Sequence, residues 1–400
     1  MAAARGSNFV SEWYGQRVYP TVRLNVARLT GESAGRCPFL GEVLQAPAAC
    51  VKSANSAGVC TISSSSNGPR QDWLVCPYRV ISSPIVSKSC QTIFGLAREV
   101  SPLPVSVLHD DKQRAKFISG VQADGSGYLF FQDKLGGEIS LASTSKSPEL
   151  SFDVTLVEIK ADGNGGFLVS RYGILEIQTM DYHGSYRGAV NNLRDGLRLH
   201  PDTFPAALQM NLARWAGEGI EGPNVANVFK RTFYQIMLKF RMSGEGSAAA
   251  GTVLALPRSV WDSWQPFLGA PEIEEESPGI MRLRVIPGAP SEPSLNAFIC
   301  VFDLDAASDA AVSPVWIEYF VRVSPEKLTH HAFTVVPAHI LKSIQTDESV
   351  LARIRTRLGM WWPVFMAVRP VAKKVTPSLI RAANHVYEES LQEMTPHAAQ

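Results

Sequence analysis

Apolar and polar positions alternate along two neighbouring stretches of the chain, SFDVTLVEIKA (Ser151–Ala161) and GFLVSRYGILEIQT (Gly166–Thr179). The residues between them, DGNGG (Asp162–Gly166), are turn formers, so the segment reads as a β-hairpin. Strands are also expected at Gly251–Pro257, Met281–Pro287, Ala297–Asp305 and Trp316–Ser324, while Gly127–Lys134 reads as a strand or helix edge. Elsewhere the period lengthens to that of a helix. Ala189, Leu193 and Leu197 share a face within Tyr186–Leu199, with Ser185 placed to cap it. Val228, Phe229, Phe233, Ile236 and Phe240 do the same within Asn224–Phe240. Two more helices are expected near Ser349–Met360 and Pro377–Met394, and the acidic APEIEEESPG (Ala270–Gly279) reads as a solvated loop. Up to about Cys90 the pattern breaks into short strand-like pieces such as DWLVCPYRV (Asp72–Val80) and polar runs such as SSSSNGPR (Ser63–Arg70). The expected class is α/β. A mixed central sheet flanked by helices would occupy residues 96–400, behind an irregular, loop-rich region at 1–95 that needs a staple to hold its shape.

Composition narrows this only slightly. With 400 residues, 45% of them hydrophobic, the chain has material for at least one large core. A net charge of +1 excludes a polycationic tail but not a local basic groove, because binding follows the local field. The N-terminal MAAARGSNFVSEWYG lacks the apolar centre of a signal peptide. The longest apolar run, Gly359–Val368, is too short to span a bilayer and contains Pro363. A cytoplasmic protein without a membrane anchor is the expectation. Five of the six cysteines lie between Cys37 and Cys90, and a reducing compartment disfavours disulfides for such a cluster. Their spacing lacks CxxC knuckles and leaves a metal site and scattered buried thiols equally open.

The hairpin carries the candidate chemistry. Alternation sends Leu175, Ile177 and Thr179 to one face and Glu176 and Gln178 to the other. The antiparallel partner strand brings Asp153 beside Glu176. Two close carboxylates repel unless a cation sits between them, and a hard cation prefers oxygen ligands. Magnesium held by Asp153, Glu176 and the carbonyl of Ile177 would acidify bound water and stabilise charge on a phosphate. An acid heading one strand and acid-x-lysine on the next is the PD-(D/E)XK nuclease signature. Here Gln178 replaces the lysine and can only orient groups by hydrogen bonds. Taken alone, Glu176 as a rim carboxylate and Gln178 as a sheet-edge residue fit the pattern as well.

Longer strings add to it. FDVTL, RYGILEIQTMDYHGSY, EGPNVANVFKRTFYQ (Glu221–Gln235), KLGGEIS (Lys134–Ser140) and the series CPFL, CVK, GVC, DWLVCP together resemble the NotI-type restriction endonuclease family. RVYP (Arg17–Pro20) and SVWDSW (Ser259–Trp264) also fit, and the resemblance runs to about Phe302 before thinning out. It implies a homodimeric type II enzyme that makes magnesium-dependent double-strand cuts in a GC-rich, GCGGCCGC-like palindrome. It places Asp153, Glu176 and Gln178 at catalytic positions. Cys37, Cys50, Cys60 and Cys76 fall at the ligand positions of a closed structural site for iron, with zinc able to take the same geometry. Cys90 and Cys300 match no ligand position and read as buried or free thiols.

Other residues have weaker claims. Glu138 reads either as a further acid from the helical side of the active site or as a helix-cap or surface residue. His183 reads as a structural hydrogen-bonding group at a strand-to-helix turn. Lys134, Arg187, Lys230, Arg231 and Gln235 are candidates for phosphate or guanine contact, as are Arg353 and Arg357, although a solvated face accounts for each one singly. GESAG (Gly31–Gly35) matches a nucleophile elbow only formally. Two rival functions stand beside the nuclease: a non-cleaving DNA-binding protein on the same scaffold, and a carboxylate-based glycoside hydrolase with its cysteines in disulfides.

Overall fold

The computed structural model describes residues 8–66, 68–82, 84–244, 248–284, 295–305, 308, 310, 312–346 and 350–361. The chain divides into two units, Met1–Pro337 and Ala338–Gln400.

The first unit begins with strands β1 (Phe9–Trp13) and β2 (Gln16–Arg17), helix α1 (Pro38–Leu44), strands β3 (Val59–Ser64) and β4 (Gln71–Leu74), and helices α2 (Tyr78–Ile81) and α3 (Pro84–Phe94). Next come β5 (Leu103–Pro104), α4 (Asp111–Asp124), β6 (Ser126–Phe131), a small ribbon β7 (Ile139–Leu141) with β8 (Leu150–Phe152), and the hairpin β9 (Val154–Ala161) and β10 (Phe167–Ile177). Strand β11 (Tyr182–Gly184), helices α5 (Arg187–Leu199), α6 (Phe204–Met210) and α7 (Leu212–Gly217), strand β12 (Ile220–Pro223) and helix α8 (Val225–Met242) follow. Then come β13 (Ala249–Pro257), α9 (Arg258–Leu268), β14 (Ile273–Ser277), β15 (Ile280–Leu283), β16 (Ala297–Leu304), β17 (Val315–Arg322) and α10 (Pro325–His330). Helix α11 (Val336–Thr346) runs into the second unit, whose described part also holds α12 (Val350–Trp361).

A nine-stranded mixed sheet, ordered β14-β15-β17-β16-β13-β10-β9-β6-β5, forms the centre of the first unit. Strand β10 is antiparallel to β9 and parallel to β13, so the hairpin is built into the middle of the sheet. The period-two pattern feeds two cores. Leu175, Ile177, Val253, Ala255 and Phe298 meet α3 on one face, whereas Leu254, Leu256, Ile299 and Val301 meet α8 and α9 on the other. Gly173 lets α3 approach closely, since a Cβ there would lie 2.4 Å from Ile93 Cγ2.

The N-terminal region is more regular than its sequence pattern suggests. Strands β2-β1-β3-β4 make a four-stranded antiparallel sheet. Its Val10, Trp13, Val59 and Ile62 share a core with Ala189, Val190, Leu193, Phe204 and Leu208. The period-two signal is lost there because β3 is buried on both faces, its polar Thr61, Ser63 and Ser64 included. Residues on both sides of position 95 line one core, in which Ile85, Cys90 and Ile93 pack with Leu156 and Leu175. The sheet also encloses a charge network. Glu12 is fully buried; it accepts from Thr61 Oγ1 at 2.5 Å and pairs with Arg79 Nε at 3.3 Å. Arg17 pairs with Asp72 and donates to Ser313 Oγ at 2.7 Å.

Two further expectations need correction. Ala270–Gly279 contains β14 rather than a solvated loop: Glu274 pairs with Arg282 (2.8 Å) on the adjoining β15 and Glu276 with Arg322 (2.9 Å) on β17, the strand beyond it. Helix α5 is capped at Tyr186, one residue later than expected, and Ser185 Oγ accepts from the Arg187 amide at 3.1 Å. Gly31–Ser33 forms a short 3-10 turn, in keeping with a merely formal match of GESAG to a nucleophile elbow. The expected helix at Pro377–Met394 lies outside the described residues. No helix among the described residues is long and apolar enough to cross a membrane.

Candidate functional site

Asp153 lies at the break between β8 and β9, just ahead of the register pair Val154–Leu175. This position sets it beside Glu176, and each acid reaches the other's segment. Glu176 Oε1 accepts from the Asp153 amide at 3.2 Å, and Asp153 Oδ2 accepts from the Ile177 amide at 2.9 Å. Gln178 follows β10, with its own amide donating to the Ala255 carbonyl at 3.1 Å. Its side-chain oxygen accepts from Thr232 Oγ1 on α8 and its NH2 donates to the Thr179 carbonyl. Both ends of the Gln178 amide are thereby fixed.

These groups open into a cleft of about 620 Å³. Lys134, Glu138, Arg231 and Gln235 also line it; Lys230 and Arg187 do not. Glu138 comes from the exposed loop before β7, a surface position that also lines the cleft. Lys134 pairs with Asp133 at 3.0 Å and Arg231 with Asp181 at 3.0 Å. His183 sits on the exposed ribbon β11, beside a separate depression with Asn224 and Pro223. Arg353 and Arg357 lie exposed on α12 in the second unit.

One cleft residue escaped the sequence reading. Lys239 of α8 places its ammonium 2.5 Å from Glu176 Oε2, with 3% of its side chain exposed. Thr252 Oγ1 holds the Lys239 carbonyl at 3.1 Å. The available signal was helical phase, because Lys239 falls three residues after Ile236 on the apolar face of α8, where a lysine needs a partner. Burial, and then the charge of Asp153, raises the Glu176 carboxyl to about 7 despite that ammonium. Asp153 is raised chiefly by burial, and Glu138 by burial and by Asp153. Each of the three would be relieved by compensation of its charge.

All six cysteines are unpaired thiols. Cys60 and Cys76 share a hydrogen bond that pulls Cys76 down to about 6, helped by Lys52 and by the Tyr78 and Arg79 amides. Burial pushes Cys37 up, with the nearby Cys76 and Cys50 adding to it. The Leu40 and Gly58 amides donate to the sulfurs of Cys37 (3.5 Å) and Cys50 (3.4 Å). Soft sulfur donors approached by backbone amides suit a thiolate-bound ion. Even so, no group of three or more His, Cys, Asp or Glu side chains among the described residues is arranged to hold a metal. Cys90 and Cys300 are fully buried, and burial pushes the Cys90 thiol up to about 12.

Compared with known proteins, the chain matches no family model and no curated protein.

Proposed function

We propose that this chain is a magnesium-dependent, site-specific deoxyribonuclease of the PD-(D/E)XK type, similar to the NotI-type enzymes. The observation that carries the reading is the interlocking of Asp153 and Glu176 across β9 and β10, with Gln178 fixed at the same cleft. Asp153, Glu176 and the carbonyl of Ile177 would hold the ion, consistent with their hard oxygen donors. When bound, it supplies an acidified water and compensation for charge developing on the phosphate. Gln178, held by Thr232, orients the attacking water or a phosphate oxygen. Water adds to phosphorus and the P–O3′ bond breaks, leaving a 5′-phosphate and a 3′-hydroxyl.

The rest of the reading follows from the sequence resemblance: a GC-rich, GCGGCCGC-like palindrome, a cytoplasmic homodimer whose two-fold axis mirrors the palindrome, and iron or zinc on Cys37, Cys50, Cys60 and Cys76. The unpaired thiols weigh against the disulfide-linked glycoside hydrolase. A plasmid carrying one such palindrome separates the nuclease from a non-cleaving binder. We expect linearisation by the wild-type chain in Mg²⁺ and a loss of at least about a thousandfold in Glu176→Ala. Undiminished cleavage by that variant would sink the assignment.

A further inference from the structure

The catalytic set above contains no positive charge, yet the cleft that holds it is acidic. Six carboxylates (Asp133, Glu138, Glu149, Asp153, Glu176, Asp181) and three cations (Lys134, Arg231, Lys239) line it among the described residues. Lys134 and Arg231 are each paired with an exposed carboxylate outside the catalytic pair. A phosphate entering this cleft meets net repulsion, and Lys239 is ion-paired with the catalytic Glu176, while Arg231 acts on Asp153 from its pair with Asp181. It stands seven residues after Thr232 on α8, so one helix face both fixes Gln178 and neutralises Glu176. Its ammonium also lies 5.8 Å from the Phe152 ring centroid, beside the break that carries Asp153. A lysine head on a four-carbon stem can change partners without moving its helix.

We propose that Lys239 is a displaceable counter-ion: it neutralises Glu176 while the cleft is empty of divalent cation, and swings to a non-bridging oxygen of the scissile phosphate once a divalent cation engages that carboxylate. It thereby restores the positive charge that Gln178 cannot supply. The inference rests on the nuclease reading. A purely structural ion pair would keep Lys239 on Glu176 in both states.

The test uses the full chain and calcium, without DNA in its first arm. Lys239→Met removes the competitor for Glu176, so calorimetry is expected to show Ca²⁺ binding about tenfold tighter than in wild type, with Lys239→Arg near wild type. In single-turnover cleavage with Mg²⁺, Lys239→Met is expected to lose about 10²–10³-fold in rate and Lys239→Arg to recover part of it. Should Lys239→Met not fold, wild-type protein answers the same question. Saturating Ca²⁺ is expected to raise acylation of Lys239 severalfold, read by peptide mass spectrometry against Lys160 as a surface reference. Unchanged Ca²⁺ affinity in Lys239→Met, or unchanged acylation in wild type, overturns the counter-ion role. Full-rate cleavage by Lys239→Met overturns the phosphate role while the nuclease reading stands. Absence of cleavage by wild-type protein is the separate failure of that reading and takes the phosphate role with it.

Discussion

Glu176 shows how three opposing effects are ranked at a single residue. The ammonium of Lys239 favours the carboxylate, but burial and the neighbouring Asp153 charge outweigh it and bring the group up to about 7. The anionic form is the one that binds a cation, so protons and cation compete for it. The sign follows: on acidification below about 7, occupancy at limiting Mg²⁺ falls, and cleavage falls with it by about tenfold per pH unit. Raising Mg²⁺ shifts the midpoint to lower pH. Cleavage rates across pH at two Mg²⁺ concentrations check this, and a midpoint insensitive to Mg²⁺ would show that Glu176 is not the group titrating.

At the scale of elements, the close packing of α3 on β10 makes a sharp demand. Gly173→Ala drives a methyl into Ile93 in a packed core, and we expect a loss of about 1–3 kcal/mol in urea unfolding with the m-value unchanged. The β9–β10 hairpin was legible in the sequence because alternation and a Gly-rich turn are local signals, and Asp162 does accept from the Asn164 and Gly166 amides at 2.8 Å. The nearness of Asp153 and Glu176 was legible for the same reason, being fixed by hairpin register. Strand β14 was not, because its glutamates are matched by arginines on other strands, and no local pattern reveals such pairing. The N-terminal sheet was hidden by burial of both faces of β3. Lys239 was missed because its partner lies 63 positions away on the sheet, although its phase on α8 marked it as buried.

For the whole molecule, the near-neutral total of +1 conceals local imbalance. On the proposed nuclease reading, an acidic cleft would attract divalent cations before DNA, and steering of a duplex would fall to other surfaces or to a second copy. Two-fold cutting of a palindrome needs two such clefts. We therefore expect sedimentation equilibrium to give twice the 43.6 kDa of the chain at micromolar concentration, and a monomer there would remove the symmetric double-strand cut from the proposal.

The enclosed Glu12 network has a consequence for how the chain is born. Arg17 is satisfied in part by Ser313, 296 residues further along. In a nascent polypeptide Glu12 can meet Thr61, Arg79 and Arg17 early, but the guanidinium bonds to Ser313 must wait until that distant serine is made. Contacts of such long range carry a larger loop-closure cost, so the Arg17–Ser313 bond is expected to form after the local pairing of β1 with β3.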